Sequence, residues 1–171
     1  MRLTIAPLSE AAARAVLGWR YAPPYQLYNT PLSHWETDLR AMLDPANHYV
    51  SLGEGDDALV AYGCFGRDAQ VPGGDYNSGP LDIGLMLRPD LTGQGKGIHC
   101  ARALVGHAAC TWAPQAYRVT IAAFNLRAQT VWSRAGFTET ARFARLGDGL
   151  PFVILERPAQ PEDGALSLSS R

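Results

Sequence analysis

Residues 81–112 constrain the fold most. A short apolar run, Leu81-Asp82-Ile83-Gly84-Leu85-Met86-Leu87, leads into Arg88-Pro89-Asp90-Leu91 and then Thr92-Gly93-Gln94-Gly95-Lys96-Gly97. Residues 98–112 follow, where Ile98, Ala101, Leu104, Val105, Ala108 and Trp112 recur at spacings of three and four. The pattern predicts a strand, a glycine turn and an amphipathic helix. The first turn of a helix carries unpaired N–H donors and a partial positive charge, and glycines let a phosphate approach such a backbone closely. The stretch therefore predicts a phosphate-binding turn; a tight turn without a ligand is the competing reading.

Two nucleotide motifs are excluded. A P-loop needs a glycine five residues before its Gly-Lys pair and Ser or Thr after it. Here Asp90 lies five before Gly95, and Gly97 follows Lys96. The dinucleotide fingerprint Gly-x-Gly-x-x-Gly ends at Ile98 or Cys100, depending on the frame, and stands too far from the first strand.

The remaining chain reads as β-α-α-β-β-β-α-β-α-β-β, an α/β (α+β) chain with strands pairing in both senses. Residues 2–6 predict a strand. A helix follows from Ser9, its N-cap, to Gly18. Residues 19–32 are irregular and aromatic, with Trp19, Tyr21, Tyr25 and Tyr28. Ser33-x-x-Glu36 predicts a capping box at the start of a second helix that Asp44-Pro45 ends. Residues 48–52 and 58–65 predict a hairpin around 53–57. A long polar loop spans 66–79, and 117–124 predicts another strand. A short helix over 127–135 is stopped by Gly136-Phe137, and a last hairpin joins 138–146 to 150–156. Residues 159–171 are small and polar and predict a disordered tail, leaving one domain over 1–158.

A chain of 171 residues with a net charge of −1 gives no reason to expect nucleic acid or an anionic membrane as partner. No apolar run approaches the ~20 residues of a membrane span. Cys64, Cys100 and Cys110 have no metal-like spacing and read as inert thiols of a reducing, cytoplasmic setting. His99 and His107 lie eight apart rather than four, so no metal site is expected.

Thr92-x-x-Gly95-x-Gly97, three residues after Pro89, resembles the coenzyme A motif of the GNAT N-acetyltransferase superfamily, written (Arg or Gln)-x-x-Gly-x-(Gly or Ala). Gln94-x-x-Gly97-x-His99 is a second, poorer frame. Asn125-x-x-Ala128-x-x-Val131-Trp132-x-x-x-Gly136-Phe137 resembles that family's late motif, at a matching distance. The likeness covers roughly 2–158 and is greatest for the ribosomal-protein N-acetyltransferase-like branch. It departs at Thr92, where Lys96 is a substitute cation, and at Trp132, where the family carries a tyrosine acid.

The resemblance implies a mixed sheet of about seven strands flanked by about four helices. It implies acetyl-CoA as cosubstrate, no metal, an amine acceptor, and direct attack on the thioester; a non-catalytic acyl-CoA-binding module is the alternative. The chain would act as a monomer or homodimer. Thr92, Gly93, Gln94, Gly95, Lys96, Gly97 and Ile98 would hold the pyrophosphate. The backbone of Leu85, Met86 and Leu87 would pair with the pantetheine arm, with an N–H near Met86 or Leu87 on the oxyanion. Asn125 would act near the sulfur, Arg127 near the adenosine phosphates, and Ala128 and Trp132 beside the cofactor. Asp82 shares a strand face with Gly84 and Met86 and is either the general base or an edge carboxylate. Tyr28 is the candidate acid; the alternative is that the thiolate leaves unassisted. Trp19, Tyr21, Tyr25 and Tyr28 line an acceptor pocket or pack as a satellite core.

Overall fold

The computed structural model describes residues 2–55, 58–77 and 79–165. Its strands are β1 (Leu3–Pro7), β2 (Val50–Glu54), β3 (Ala58–Phe65), β4 (Leu81–Leu87), β5 (Ala116–Ala122), β6 (Thr138–Ala144) and β7 (Pro151–Pro158). They form one sheet in the order β1-β2-β3-β4-β5-β7-β6. Every neighbouring pair is antiparallel except β4 and β5. The helices are α1 (Glu10–Leu17), α2 (Trp35–Leu43), α3 (Gly97–Trp112) and α4 (Leu126–Arg134).

Alternation along the strands divides the core in two, because successive side chains point to opposite faces of a sheet. Ala61 packs with Leu104, Val105 and Ala108 of α3 and with Trp132 of α4 in the main core. Its neighbour Tyr62 packs instead with Leu17 of α1 and Leu39 and Met42 of α2. The apolar spacing of 98–112 is thus met by a helix whose buried stripe covers the centre of the sheet. At the helix start, a Cβ on Gly97 would lie 3.0 Å from Cγ2 of Val131, so a glycine there lets α3 and α4 meet closely.

Three expectations need correction. The Ser33 capping box does not form: His34 N–H donates to Pro31 C=O at 2.9 Å, so Ser33 is already inside a 3-10 turn. The N-cap of α2 is His34, without a side-chain bond. The hairpin strand expected over 48–52 lies at 50–54, and residues 56–57 of its turn fall outside the described residues. The segment after 158 is anchored as far as it is described. Asp163 is buried, accepts from Arg157 at 2.5 Å and from Gln160 N–H at 2.8 Å, and so ties a 3-10 turn to β7. Residues 166–171 of the expected tail lie outside the described residues.

Candidate active site

The site begins where β4 and β5 part. They are paired only at Leu81–Tyr117 and Asp82–Arg118, although β4 runs on for five more residues and β5 for four. The register with β3 decides which backbone groups of β4 face the resulting gap. Gly66 N–H donates to Asp82 C=O and Arg88 N–H to Val60 C=O. Hydrogen-bonding sides alternate along a strand, so Gly84 and Met86 also direct their backbone groups to β3. Leu85 and Leu87 direct theirs into the gap. Of the two residues expected near an oxyanion, Leu87 therefore directs its N–H into the gap, and Met86 spends its N–H on the sheet.

A cavity of about 350 Å³ occupies the gap. Leu85, Met86 and Leu87 form one wall and Asn125, Ala128, Val131 and Trp132 the other. Thr92, Gly93, Gly95, Gly97 and Ile98 of the glycine turn and the rings of Tyr21, Tyr25 and Tyr28 complete the lining. Arg127 and Arg134 contribute positive charge, and no carboxylate lines it among the described residues. Thr130, Val131 and Arg134 were not singled out as site residues in the sequence. Their spacing of three, four and seven from Arg127 places them on one helix face, which is the signal that finds them.

The glycine turn presents donors to this cavity. Gly93 and Gly95 have φ of +78° and +76°, a region L side chains avoid, and a Cβ on either would meet open space. Among the described residues, the backbone N–H groups of Gly93, Gln94, Gly95, Lys96, Gly97 and Ile98 have no protein acceptor. The Lys96 ammonium, expected as a substitute for the missing motif cation, is paired with Glu54 Oε2 at 2.5 Å, at the end of β2. Arg127 is better placed. Its guanidinium lies 3.7 Å over the Tyr25 ring and 3.5 Å from Thr92 Oγ1. The Gln94 side chain turns back to Asp90 C=O.

Asn125 joins the first turn of α4 to Tyr28. Its Oδ1 accepts from Ala128 N–H at 3.1 Å, capping the helix, and its Nδ2 donates to Tyr28 Oη at 3.0 Å. Those two bonds fix which end of the amide is which. They also leave the Tyr28 hydroxyl proton without a protein acceptor among the described residues. Burial holds the Tyr28 phenol above its usual range, outweighing the Asn125 bond, so it is a neutral donor. Tyr21 Oη donates to Leu87 C=O at 2.7 Å, and burial pushes its phenol up as well. Trp132 is buried, edge-on to Phe137 at 4.9 Å, and lines the cavity with its indole.

Asp82 is not in this cavity. Its carboxylate receives Arg118 Nε at 2.6 Å, an Arg118 terminal nitrogen at 2.8 Å and Gln70 Nε2 at 2.8 Å. The pair is enclosed, with Asp82 4% and Arg118 1% exposed. Asp82 is thus no edge carboxylate at the surface: it is buried in an ion pair with Arg118, across the only paired stretch of β4 and β5.

A second cavity, of about 240 Å³, meets the first at Tyr21, Tyr28 and Met86. It lies among α1, α2 and the sheet face that bears Tyr62. Of the aromatic residues expected to form an acceptor pocket, Trp19 lines this cavity, Tyr25 the first, and Tyr21 and Tyr28 both.

No protein-family model and no curated protein sequence matches this chain. Solved structures do. A variant of spermidine N-acetyltransferase SpeG from Vibrio cholerae superposes with a TM-score of 0.70 at 14% identity, over 95% of this chain and 96% of that one. An aminoglycoside N(6')acetyltransferase from Legionella pneumophila gives 0.71 at 16% identity, over 99% and 96%. A GNAT-family acetyltransferase from Bacillus anthracis gives 0.70 at 14% identity, over 92% and 95%. The seven-stranded sheet, its single parallel pair and the four helices make this the GNAT acetyltransferase fold.

Proposed function

We propose that this chain transfers the acetyl group of acetyl-CoA to a primary amine, on a small molecule or a protein N-terminus, with both substrates bound together. The observation that carries the proposal is the gap between β4 and β5, whose cavity is lined both by the turn with the six unpaired amides of residues 93–98 and by the neutral phenol of Tyr28. Those residues suit acetyl-CoA. The amides of the turn, with Arg127 and Arg134, fit a pyrophosphate. The outward backbone groups of Leu85 and Leu87 fit the amides of a pantetheine arm, as a strand edge fits an added strand.

In the reaction the amine nitrogen bonds to the acetyl carbon and the carbon–sulfur bond breaks. Leu87 N–H is the donor positioned for the oxygen that gains charge. Tyr28 Oη supplies a proton to the departing sulfur, and Asn125 is a positioning residue that holds the phenol in place. The amine's proton passes to water, and the amine reacts from its free-base fraction. For an alkylamine with a pKa near 10.4 that fraction is under about 1% at pH 8, so the rate rises with pH. A thiol pKa of about 8.5 makes the sulfur a fair leaving group, which is why Tyr28 in place of the usual tyrosine is sufficient.

Calorimetric titration with acetyl-CoA, followed by thiol release across a panel of amines, tests this reading. Saturable binding with amine-dependent release is expected. Absence of acetyl-CoA binding removes the proposal, and binding without release across the panel leaves the chain an acyl-CoA-binding module.

A further inference from the structure

The two cavities that meet at Tyr21, Tyr28 and Met86 differ in charge. The first carries Arg127 and Arg134 and no carboxylate among the described residues. The second carries Asp38, from α2, and Asp68, from the 3-10 turn after β3, and among the described residues no lysine, arginine or histidine lines it. Asp68 accepts one bond, from Tyr49 Oη at 3.2 Å. Asp38 is half-buried and has no hydrogen-bond or salt-bridge partner among the described residues. Burial raises its carboxyl above the usual range, by more than His34 one turn earlier lowers it. That is the state of a carboxylate lacking a countercharge. Between the two acids the wall is aromatic. Trp19 lies 5.7 Å from Tyr62, and Tyr49 stacks on Tyr62 at 6.2 Å.

Ring faces and two uncompensated carboxylates in one small cavity favour an organic cation over a metal ion or a neutral group. The cavity is walled from the acetyl-transfer gap only by Tyr21, Tyr28 and Met86. A molecule reaching across that wall would present its far end to the acids and its near end to the Tyr28 hydroxyl. We propose that the acceptor is a diamine or polyamine-like dication, with one amino group acetylated at Tyr28 and a second, protonated one held by Asp38 and Asp68. The proposal rests on the acetyl-transfer reading for the near amino group. The binding of the far one does not depend on chemistry.

The test uses matched probes of one length: tetramethylenediamine, butylamine and γ-aminobutyrate. Each is titrated calorimetrically into the full chain and then assayed for thiol release with acetyl-CoA. Charge-assisted bonds of this kind change affinity by about ten- to a hundredfold. The diamine is expected to bind and react better than butylamine by that factor, and γ-aminobutyrate to be worst, its carboxylate being repelled. Asp38→Asn and Asp68→Asn are each expected to weaken the diamine about tenfold or more while leaving butylamine turnover and acetyl-CoA binding unchanged. Equal binding of diamine and butylamine, or a diamine preference untouched by both substitutions, overturns the proposal. Diamine binding that is sensitive to Asp38 but gives no thiol release supports the cation site and counts against the transfer reaction instead.

Discussion

Replacing Asp82 by Asn separates a structural carboxylate from a catalytic one. The substitution keeps the side chain's shape and removes its charge. Arg118 then loses the partner that receives both its Nε and a terminal nitrogen, and the new amide group opposes donor to donor. Glu156 offers little in exchange, at 3.8 Å and 31% exposed. The other terminal nitrogen of Arg118 is buried without a hydrogen-bond partner even in the intact protein. Stranding a buried charge costs about 3–5 kcal/mol. A domain of this size loses about 2–4 °C of Tm per kcal/mol, so the midpoint is expected to fall by about 6–20 °C. Thermal unfolding followed by circular dichroism reads that shift, and thiol release at a temperature where the variant is folded reads the chemistry. The turnover per folded molecule is expected to stay within about threefold of the parent, since a far base would otherwise supply about a hundredfold or more. The double variant Asp82→Leu, Arg118→Met, which removes both charges, is expected to recover much of the lost stability. An unchanged midpoint with turnover down by about a hundredfold would refute the reasoning and restore Asp82 as the base.

Three further outcomes are expected. Tyr28→Phe lowers kcat by about ten- to a hundredfold and leaves acetyl-CoA affinity unchanged; because burial raises the phenol, the parent's kcat should not decline below pH ~10. Arg127→Ala weakens acetyl-CoA binding by about ten- to a hundredfold and flattens its salt dependence, both read by calorimetry at two ionic strengths. Burial pushes the Cys64 and Cys100 thiols up to about 12, so at pH 8 both stay protonated. A thiol reagent should label the exposed Cys110 alone until denaturant is added, and rapid labelling of a second thiol in the folded protein would contradict the packing of α3 on the sheet.

The sequence made the central part of the fold legible because periodicity there is strong. The stripe from Ile98 to Trp112, the strand from Leu81 to Leu87 and the short helix expected over 127–135 are set by local spacing, and the structure has each within a residue or so. The capping box at Ser33 was misread because Pro31 starts a 3-10 turn one step earlier, and a local motif does not show which turn comes first. The anchoring of Asp163 is not legible because one ion pair to Arg157, six residues earlier, leaves no periodic trace.

The site divides the same way. The glycine turn is a local feature and was legible. The role of Asp82 was not, because face alternation says which side of a strand a carboxylate takes and nothing of Arg118, which is 36 residues away. Lys96 is similar: its charge was visible, its partner Glu54, 42 residues earlier, was not. The link from Asn125 to Tyr28 spans 97 residues and follows only from the fold.

Amide NMR of isotope-labelled protein during titration with acetyl-CoA reports on the β4–β5 gap most directly. Saturable shifts are expected at the backbone N–H groups of residues 93–98 and at Leu85 and Leu87, with Met86 and Gly84 shifting less because their N–H groups already bond to β3. Binding that leaves residues 93–98 unmoved, or no binding at all, would contradict the assignment of that gap to acetyl-CoA.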